Sequence, residues 1–334
     1  DTMDVWFDSG ISWSNLLKDN NYQADLYCEG SDQHRGWFQS SLLTSIAINN
    51  QAPYHTLLSH GFVLDGNATK MSKSLNNTIL PNNLIKQKNI DIEVLRLWVT
   101  SSNYTSDIII SDELLNTNQE VLKKIRLTIR YLLGNLSNYD INQHLIQYNQ
   151  LNNIDHYILY KLSILYNQCI LHYKKYEYNN IITLLQSYIH HILSSFYFPI
   201  IKDSLYTDDI NSIQRQSYQT ILYYNLYILI PLLAPILPYT INETFNYMKE
   251  LNLNLNHYHC IYDLNINKLK DNISMIKWNN NKNINNIFND YFILKNEIYK
   301  LLENVRKDKL IGNSNETQIF INKNKITTNI LNNI

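Results

Sequence analysis

Leu57-Leu58-Ser59-His60-Gly61-Phe62-Val63-Leu64-Asp65-Gly66-Asn67-Ala68-Thr69-Lys70-Met71-Ser72-Lys73-Ser74-Leu75-Asn76-Asn77 is the stretch that decides how the rest of the chain is read. A mostly apolar run, Leu57 to Leu64, meets Asp65-Gly66, a dipeptide that favours a tight turn because glycine accepts positive φ. The pattern predicts a strand, a turn and an exposed polar loop. That loop carries Lys70 and Lys73, with Ser72 and Ser74 flanking the second lysine, and no acidic residue follows before Asp91. Such a loop suits a polyanion. Two ammonium groups neutralise phosphate oxygens as mobile point charges, while hydroxyls and backbone N–H groups supply short hydrogen bonds. Lysine and serine are also ordinary surface residues, so composition alone does not decide between a ligand loop and a solvated one.

The order of the residues does. Lys70-Met71-Ser72-Lys73-Ser74, following Gly61-Phe62-Val63-Leu64-Asp65, resembles the signature loop of class I aminoacyl-tRNA synthetases. In that family the loop closes over the ATP triphosphate and steadies the departing pyrophosphate. The family usually has glycine two residues after the pentapeptide, where this chain has Asn76. Asparagine is the non-glycine residue most tolerant of left-handed backbone, so the turn is expected to survive.

Upstream, Asp25 to Leu43 contains Glu29-Gly30-Ser31-Asp32-Gln33-His34-Arg35-Gly36-Trp37-Phe38. A short apolar strand ends at Glu29-Gly30, Ser31 or Asp32 serves as N-cap, and a helix follows through Trp37, Leu42 and Ile46. Open α/β sheets bind ligands at such strand-to-helix turns. Each residue alone has a structural explanation: Asp32 as a cap, His34 and Arg35 as solvated helix residues, Trp37 as core. The whole run resembles isoleucyl-tRNA synthetases of the bacterial type and is far more specific than the lysine loop. The resemblance implies that Glu29 and Gly30 contact the isoleucyl-adenylate, that Asp32 and Gln33 hold its amino-acid and ribose parts, and that Trp37 lines the aliphatic pocket. It likewise assigns ATP contacts to Lys70, Ser72 and Lys73, with the two lysines as catalytic cations. Residues 1 to 13 read locally as a strand entering a tight turn at Gly10. Asp4-Val5-Trp6-Phe7-Asp8-Ser9-Gly10 resembles the family segment that re-enters the catalytic fold after the editing insertion, which makes Trp6 a wall of the amino-acid pocket.

Downstream, Pro81 begins a helix and Asp91 to Val99 forms another with an acidic start; this stretch resembles the family's stem-contact region. Beyond Ser111 the texture changes to amphipathic stretches at roughly 112 to 137, 153 to 176, 179 to 195 and 211 to 230, a helical bundle. Leu193 to Tyr197 with Lys202-Asp203, and Leu232 to Tyr239, resemble the anticodon-binding domain of the same synthetases, with Ser204 where the family usually has arginine. A last helix through Leu301, Leu302 and Val305 ends at Ile311-Gly312 and carries Arg306, Lys307 and Lys309, a basic face that is more often simply solvated but that beside such a bundle could also serve as a phosphate track.

The expected organisation is thus α/β followed by all-α: residues 1–108 as the second half of a Rossmann-like catalytic domain, 109–262 as the anticodon-binding bundle, and 263–334 as a helical or mixed extension. At 334 residues and 45% hydrophobic composition the chain supports more than one core. A net charge of −1 gives no global field for nucleic acid, so RNA contacts must be local. Cys28, Cys169 and Cys260 lack zinc or disulfide spacing and read as buried thiols of an intracellular protein, in the cytoplasm or in an organelle such as the apicoplast or mitochondrion. No apolar run spans a membrane, since Asn225, Pro231 and Pro235 interrupt the longest. Heavy use of Asn, Ile, Lys and Tyr resembles drift in an AT-rich genome, and Asn152-Asn153 and Asn279 to Asn281 read as loop filler. The resemblance, strongest over 1 to 105, implies ATP with Mg²⁺, isoleucine and tRNA(Ile) as partners, no protein-bound zinc, and a full-length monomer. None of the ten histidines lies in the family's His-x-Gly-His motif, so the chain is expected to be inactive alone. The competing reading is a non-catalytic tRNA-binding module derived from a synthetase; the intact lysine loop speaks against it.

Overall fold

The computed structural model describes residues 2–253, 278, 282–313 and 316–321. Cys260 and Asn279 to Asn281, read above as a buried thiol and as loop, lie outside them. The chain divides into two compact units, 1–120 and 121–334.

The first unit opens with a helix, α1 (Val5–Gly10), where a strand was expected. Asp4 is the reason: its carboxylate accepts from the backbone N–H of Trp6 (2.9 Å) and Phe7 (3.1 Å), satisfying two free donors of a first helical turn. Strand β1 (Ala24–Gly30) then leads through a 3₁₀ turn (Ser31–Arg35) into helix α2 (Trp37–Asn49) and strand β2 (Tyr54–His60). The strands pair in parallel, with Glu29 opposite Ser59 and Gly30 opposite His60, so this is one β-α-β unit. Tyr27 is buried while its neighbour Cys28 is exposed, because successive residues of a strand face opposite sides. Cys28 therefore departs from the buried-thiol reading, whereas Cys169 fits it.

The apolar run 57–64, expected as one strand, splits. β2 ends at His60, and β3 (Val63–Leu64) pairs instead with β4 (Ile108–Ile109), also in parallel. Gly61 makes the break possible: its N–H donates to the Tyr104 carbonyl (2.8 Å), and a Cβ placed on it would lie 2.2 Å from the Ser106 carbonyl carbon. Gly61→Ala must push two backbones apart and is expected to destabilise this unit by about 1–3 kcal/mol, read as a lowered denaturation midpoint in urea. Helices α3 (Pro81–Lys88) and α4 (Ile92–Ser101) follow as expected, α4 capped by the Asp91 carboxylate on the Glu93 N–H at 2.8 Å. Trp98 of α4 is buried, and its indole N–H donates to the Ile109 carbonyl (3.1 Å), fixing the helix to β4.

The second unit is helical. It contains the later part of α5 (Asp112–Asn135), then α6 (Asn153–Lys174). Next comes one continuous helix made of α7 (Tyr178–Ser187), a π-wound stretch (Tyr188–Tyr197) and α8 (Phe198–Thr207). Helices α9 (Ile213–Leu233), α10 (Pro238–Glu250) and α11 (Lys282–Lys307) complete the described part. Asn152 is a cap, not filler: its side-chain oxygen accepts from the Asp155 N–H at 2.8 Å. Leu162, Tyr166, Ile181, Leu193 and Leu226 are fully buried and form the core. Within it the Asp155 carboxylate, with no exposed surface, accepts from the Tyr197 and Ser217 hydroxyls, both at 2.7 Å. Phe288 of α11 stacks on Tyr157 at 4.3 Å, which anchors the last helix to the bundle. That helix ends at Lys307, short of the expected Ile311-Gly312, and Arg306 in its basic cluster pairs with Glu303 at 2.6 Å. Among the described residues no helix is long and apolar enough to cross a membrane.

Candidate active site

Two groups of candidate residues lie in the first unit. The first gathers at the carboxyl end of β1. Gly30 is spare of volume where it must be: a Cβ there would stand 2.7 Å from Asp32 Oδ1 and 3.8 Å from the His60 ring. Neither Ser31 nor Asp32 caps α2. Gln33 does so instead, its side-chain oxygen accepting from the Trp37 N–H at 2.9 Å while its amide donates to Asp32 Oδ2 at 3.0 Å. The Trp37 indole donates to the Ser9 carbonyl (3.1 Å) and its ring stacks on Tyr27 at 4.4 Å, so its orientation is fixed from both sides. Trp6 reaches the same corner, since a Cβ on Gly36 would lie 3.0 Å from its ring, yet it remains 53% exposed. His34 ties the 3₁₀ turn to β2 through Ser59 Oγ at 3.2 Å, and His60 Nδ1 donates to the Gly61 carbonyl at 2.8 Å.

The chain thus brings together Gly30, Asp32, Gln33, Trp37 and Trp6 through direct contacts, with Glu29 exposed at the same strand end. Carboxylate and amide oxygens beside an aromatic wall can take an ammonium or a diol and an apolar side chain together.

The second group is the lysine loop. Its entry differs from the expected glycine turn: Gly66 does not adopt positive φ, whereas Ala68 does (59°). Asp65 imposes this geometry. One carboxylate oxygen accepts from the N–H of Asn67 (3.0 Å) and Thr69 (2.8 Å), and the other from the Asn77 amide (2.8 Å). Asn77 also accepts from the Ser72 N–H (2.9 Å), so the two ends of the loop are clamped to each other. The hydrogen bond from Asn77, followed by that from Thr69, holds the Asp65 carboxyl below its usual range. Asp65→Ala is expected to speed tryptic cleavage after Lys70 and Lys73 several-fold at neutral pH, followed by mass spectrometry of the fragments. Asn76 takes left-handed backbone (φ 51°), in line with the reading of that position. Lys73 is exposed and has no ion pair among the described residues, whereas the Lys70 ammonium lies over the Phe62 ring, 4.2 Å from its centre. Ser72 Oγ sits 3.0 Å from Ser74 Oγ and accepts from the Leu75 N–H at 3.2 Å.

Sequence reasoning did not single out Phe62, Asp65, Asn77, His34 or His60 as functional. An aspartate opening a turn is a legible signal for a local clamp, but nothing local marks Asn77, whose partner lies twelve residues away.

Residues 1–111 match the family model for tRNA synthetases class I (I, L, M and V), and residues 155–321 match that for the anticodon-binding domain of tRNA ligase. An isoleucine–tRNA ligase of Lactobacillus acidophilus is 38% identical over 99% of this chain and 34% of its own length. That of Staphylococcus haemolyticus is 40% identical over 97% of the chain and 34% of its length. The chain thus spans about a third of the relatives it matches. In fold it is similar to the LeuRS of Agrobacterium radiobacter K84, seen in a ternary complex with tRNA (TM-score 0.57, 17% identity, 74% of this chain and 31% of that one). It is likewise similar to the apo methionyl-tRNA synthetase of Mycobacterium tuberculosis (TM-score 0.55, 15% identity, 73% of this chain and 49% of that one).

Proposed function

From the membership of this chain in the class I tRNA synthetases and their anticodon-binding family, we propose that it is part of a monomeric enzyme that ligates isoleucine to tRNA(Ile) with ATP. The observation that carries the reading is the likeness to isoleucine–tRNA ligases along almost the whole chain. It is supported by the contacts that gather the Glu29 to Trp37 run at one strand end.

In the first half-reaction an isoleucine carboxylate oxygen bonds to the α-phosphorus of ATP as the bond to the bridging oxygen breaks, releasing pyrophosphate and leaving isoleucyl-adenylate. In the second, a hydroxyl of the terminal tRNA adenosine takes the acyl group, loses its proton and releases AMP. The protein's part is positioning and charge stabilisation. Glu29 and Gly30 contact the adenylate, Asp32 and Gln33 hold its amino-acid and ribose parts, and Trp37 with Trp6 bounds the aliphatic side chain. Lys73, Lys70 and Ser72 meet the triphosphate. The loop offers ammonium and hydroxyl groups, and among the described residues no three His, Cys, Asp or Glu side chains converge on a metal position. A Mg²⁺ carried by the nucleotide phosphates would supply further charge neutralisation there.

Isoleucine-dependent exchange of pyrophosphate into ATP tests the reading. The full-length enzyme is expected to catalyse it and the 334-residue chain alone is not, because the rest of the ATP site belongs to the remaining two thirds of the enzyme. Exchange dependent on another amino acid would refute the substrate, and exchange by the chain alone would refute the divided site.

A further inference from the structure

The helical unit carries a groove that the synthetase reading leaves without a role. It runs between residues 121–131 of α5 and residues 183–198 of the π-containing helix, with a volume of about 640 Å³. That lies within the range of small-molecule sites, which combine an apolar lining with a few convergent polar groups. Val121, Ile125 and Thr128 line one wall at helical spacing, and Thr183, Ser187 and Ser194 face them. Stacking of Tyr131 on Phe198, with ring centres 4.2 Å apart, presents a flat aromatic surface in the groove.

His190 and His191, within the π-wound stretch, both line the groove, their rings meeting edge to face at 4.7 Å. π segments are rare and concentrate at functional positions. The charge pattern then selects the ligand. Lys124 and the two imidazoles line the groove together with the Gln186 amide, and no carboxylate is among the lining residues. A cation would be repelled, and a purely apolar ligand would leave the ammonium and imidazoles unused. A polyanion needs a row of cations, and the lining holds one lysine. We propose that this groove binds a small aromatic anion, with the ring against the Tyr131–Phe198 wall and the acid group at Lys124 and the histidine pair.

The test uses 8-anilinonaphthalene-1-sulfonate, titrated by fluorescence into the whole chain and into the full-length enzyme. One saturable component is expected in both. It should vanish in Ser194→Trp, which fills the groove from an exposed position, and weaken about tenfold in Lys124→Ala, the usual scale of one charge-assisted contact. Unchanged melting temperatures would show that both variants fold, and the uncharged N-phenyl-1-naphthylamine should lack the component. Identical titrations of parent and both variants, or equal binding of the uncharged analogue, would overturn the proposal. So would a tRNA that displaces the dye and whose own affinity drops in Ser194→Trp, since the groove would then be an RNA surface. If Ser194→Trp melts early, an undiminished component in Lys124→Ala decides against it.

Discussion

Replacing Lys73 by alanine in the full-length enzyme is expected to lower kcat for isoleucyl-adenylate formation by roughly 10² or more while leaving the isoleucine KM nearly unchanged. The structure explains why this lysine should be so sensitive. It stands exposed with no ion pair among the described residues, on a loop whose ends are joined through Asp65 and Asn77. The backbone is thus braced while the ammonium stays uncommitted, which suits a charge needed only as negative charge builds up on the leaving phosphates. Lys73→Arg should rescue only in part, because a planar fork does not reproduce a compact charge on a flexible stem. Pre-steady-state measurement of pyrophosphate release reads the effect. Wild-type rates for Lys73→Ala would reduce the loop to solvated surface.

The helical unit should lose stability as pH rises through about 6, and Asp155 is the cause. Burial pushes its carboxyl up to about 6 from the ordinary 3.8, although the Tyr197 and Ser217 hydroxyls and a backbone N–H pull the other way. A carboxyl whose pKa is raised on folding favours the folded state fully below the unfolded value, and that contribution disappears above the folded one. The gap corresponds to about 3 kcal/mol, of which on the order of 1–2 kcal/mol is lost between pH 5 and pH 8. Asp155→Asn keeps the shape and cannot ionise, and the rotatable hydroxyls can accept from its amide. The variant should therefore gain on the parent as pH rises. Urea midpoints of the two proteins at pH 5 and pH 8 provide the check, and a difference that does not change with pH would remove Asp155 as the source.

What was legible in the sequence follows from the range of the interactions concerned. The helices of the second unit announce themselves by periodicity, which is local, and β1 by its apolar run ending in glycine. The lysine loop and the Glu29 to Trp37 run were readable because short ordered motifs resemble a family. The misreadings arose where one side chain redirected the backbone. Asp4 turned an apolar run into α1, Asp65 moved the left-handed residue from Gly66 to Ala68, and Gly61 broke one expected strand in two. Gln33 displaced Ser31 and Asp32 as the cap of α2 because its longer side chain reaches past Gly36 to Trp37. The Asp4 cap and the Asp65 turn are local contacts that residue preference could have signalled, whereas the partner of Gly61 lies about forty residues away.

If the loop meets ATP as proposed, the Lys70 ammonium resting on the Phe62 ring gives it a second state besides the one at phosphate. Leaving an aromatic face costs about 0.5–1 kcal/mol at an exposed site, so the parked form outnumbers the released form by a few to one when nucleotide is absent. Apparent ATP affinity is then diluted by the released fraction. On that reading Phe62 is expected to set the gain of nucleotide capture: a more electron-rich ring there should raise the ATP concentration at half-saturation, and an aliphatic one should lower it, with the chemical step unaltered.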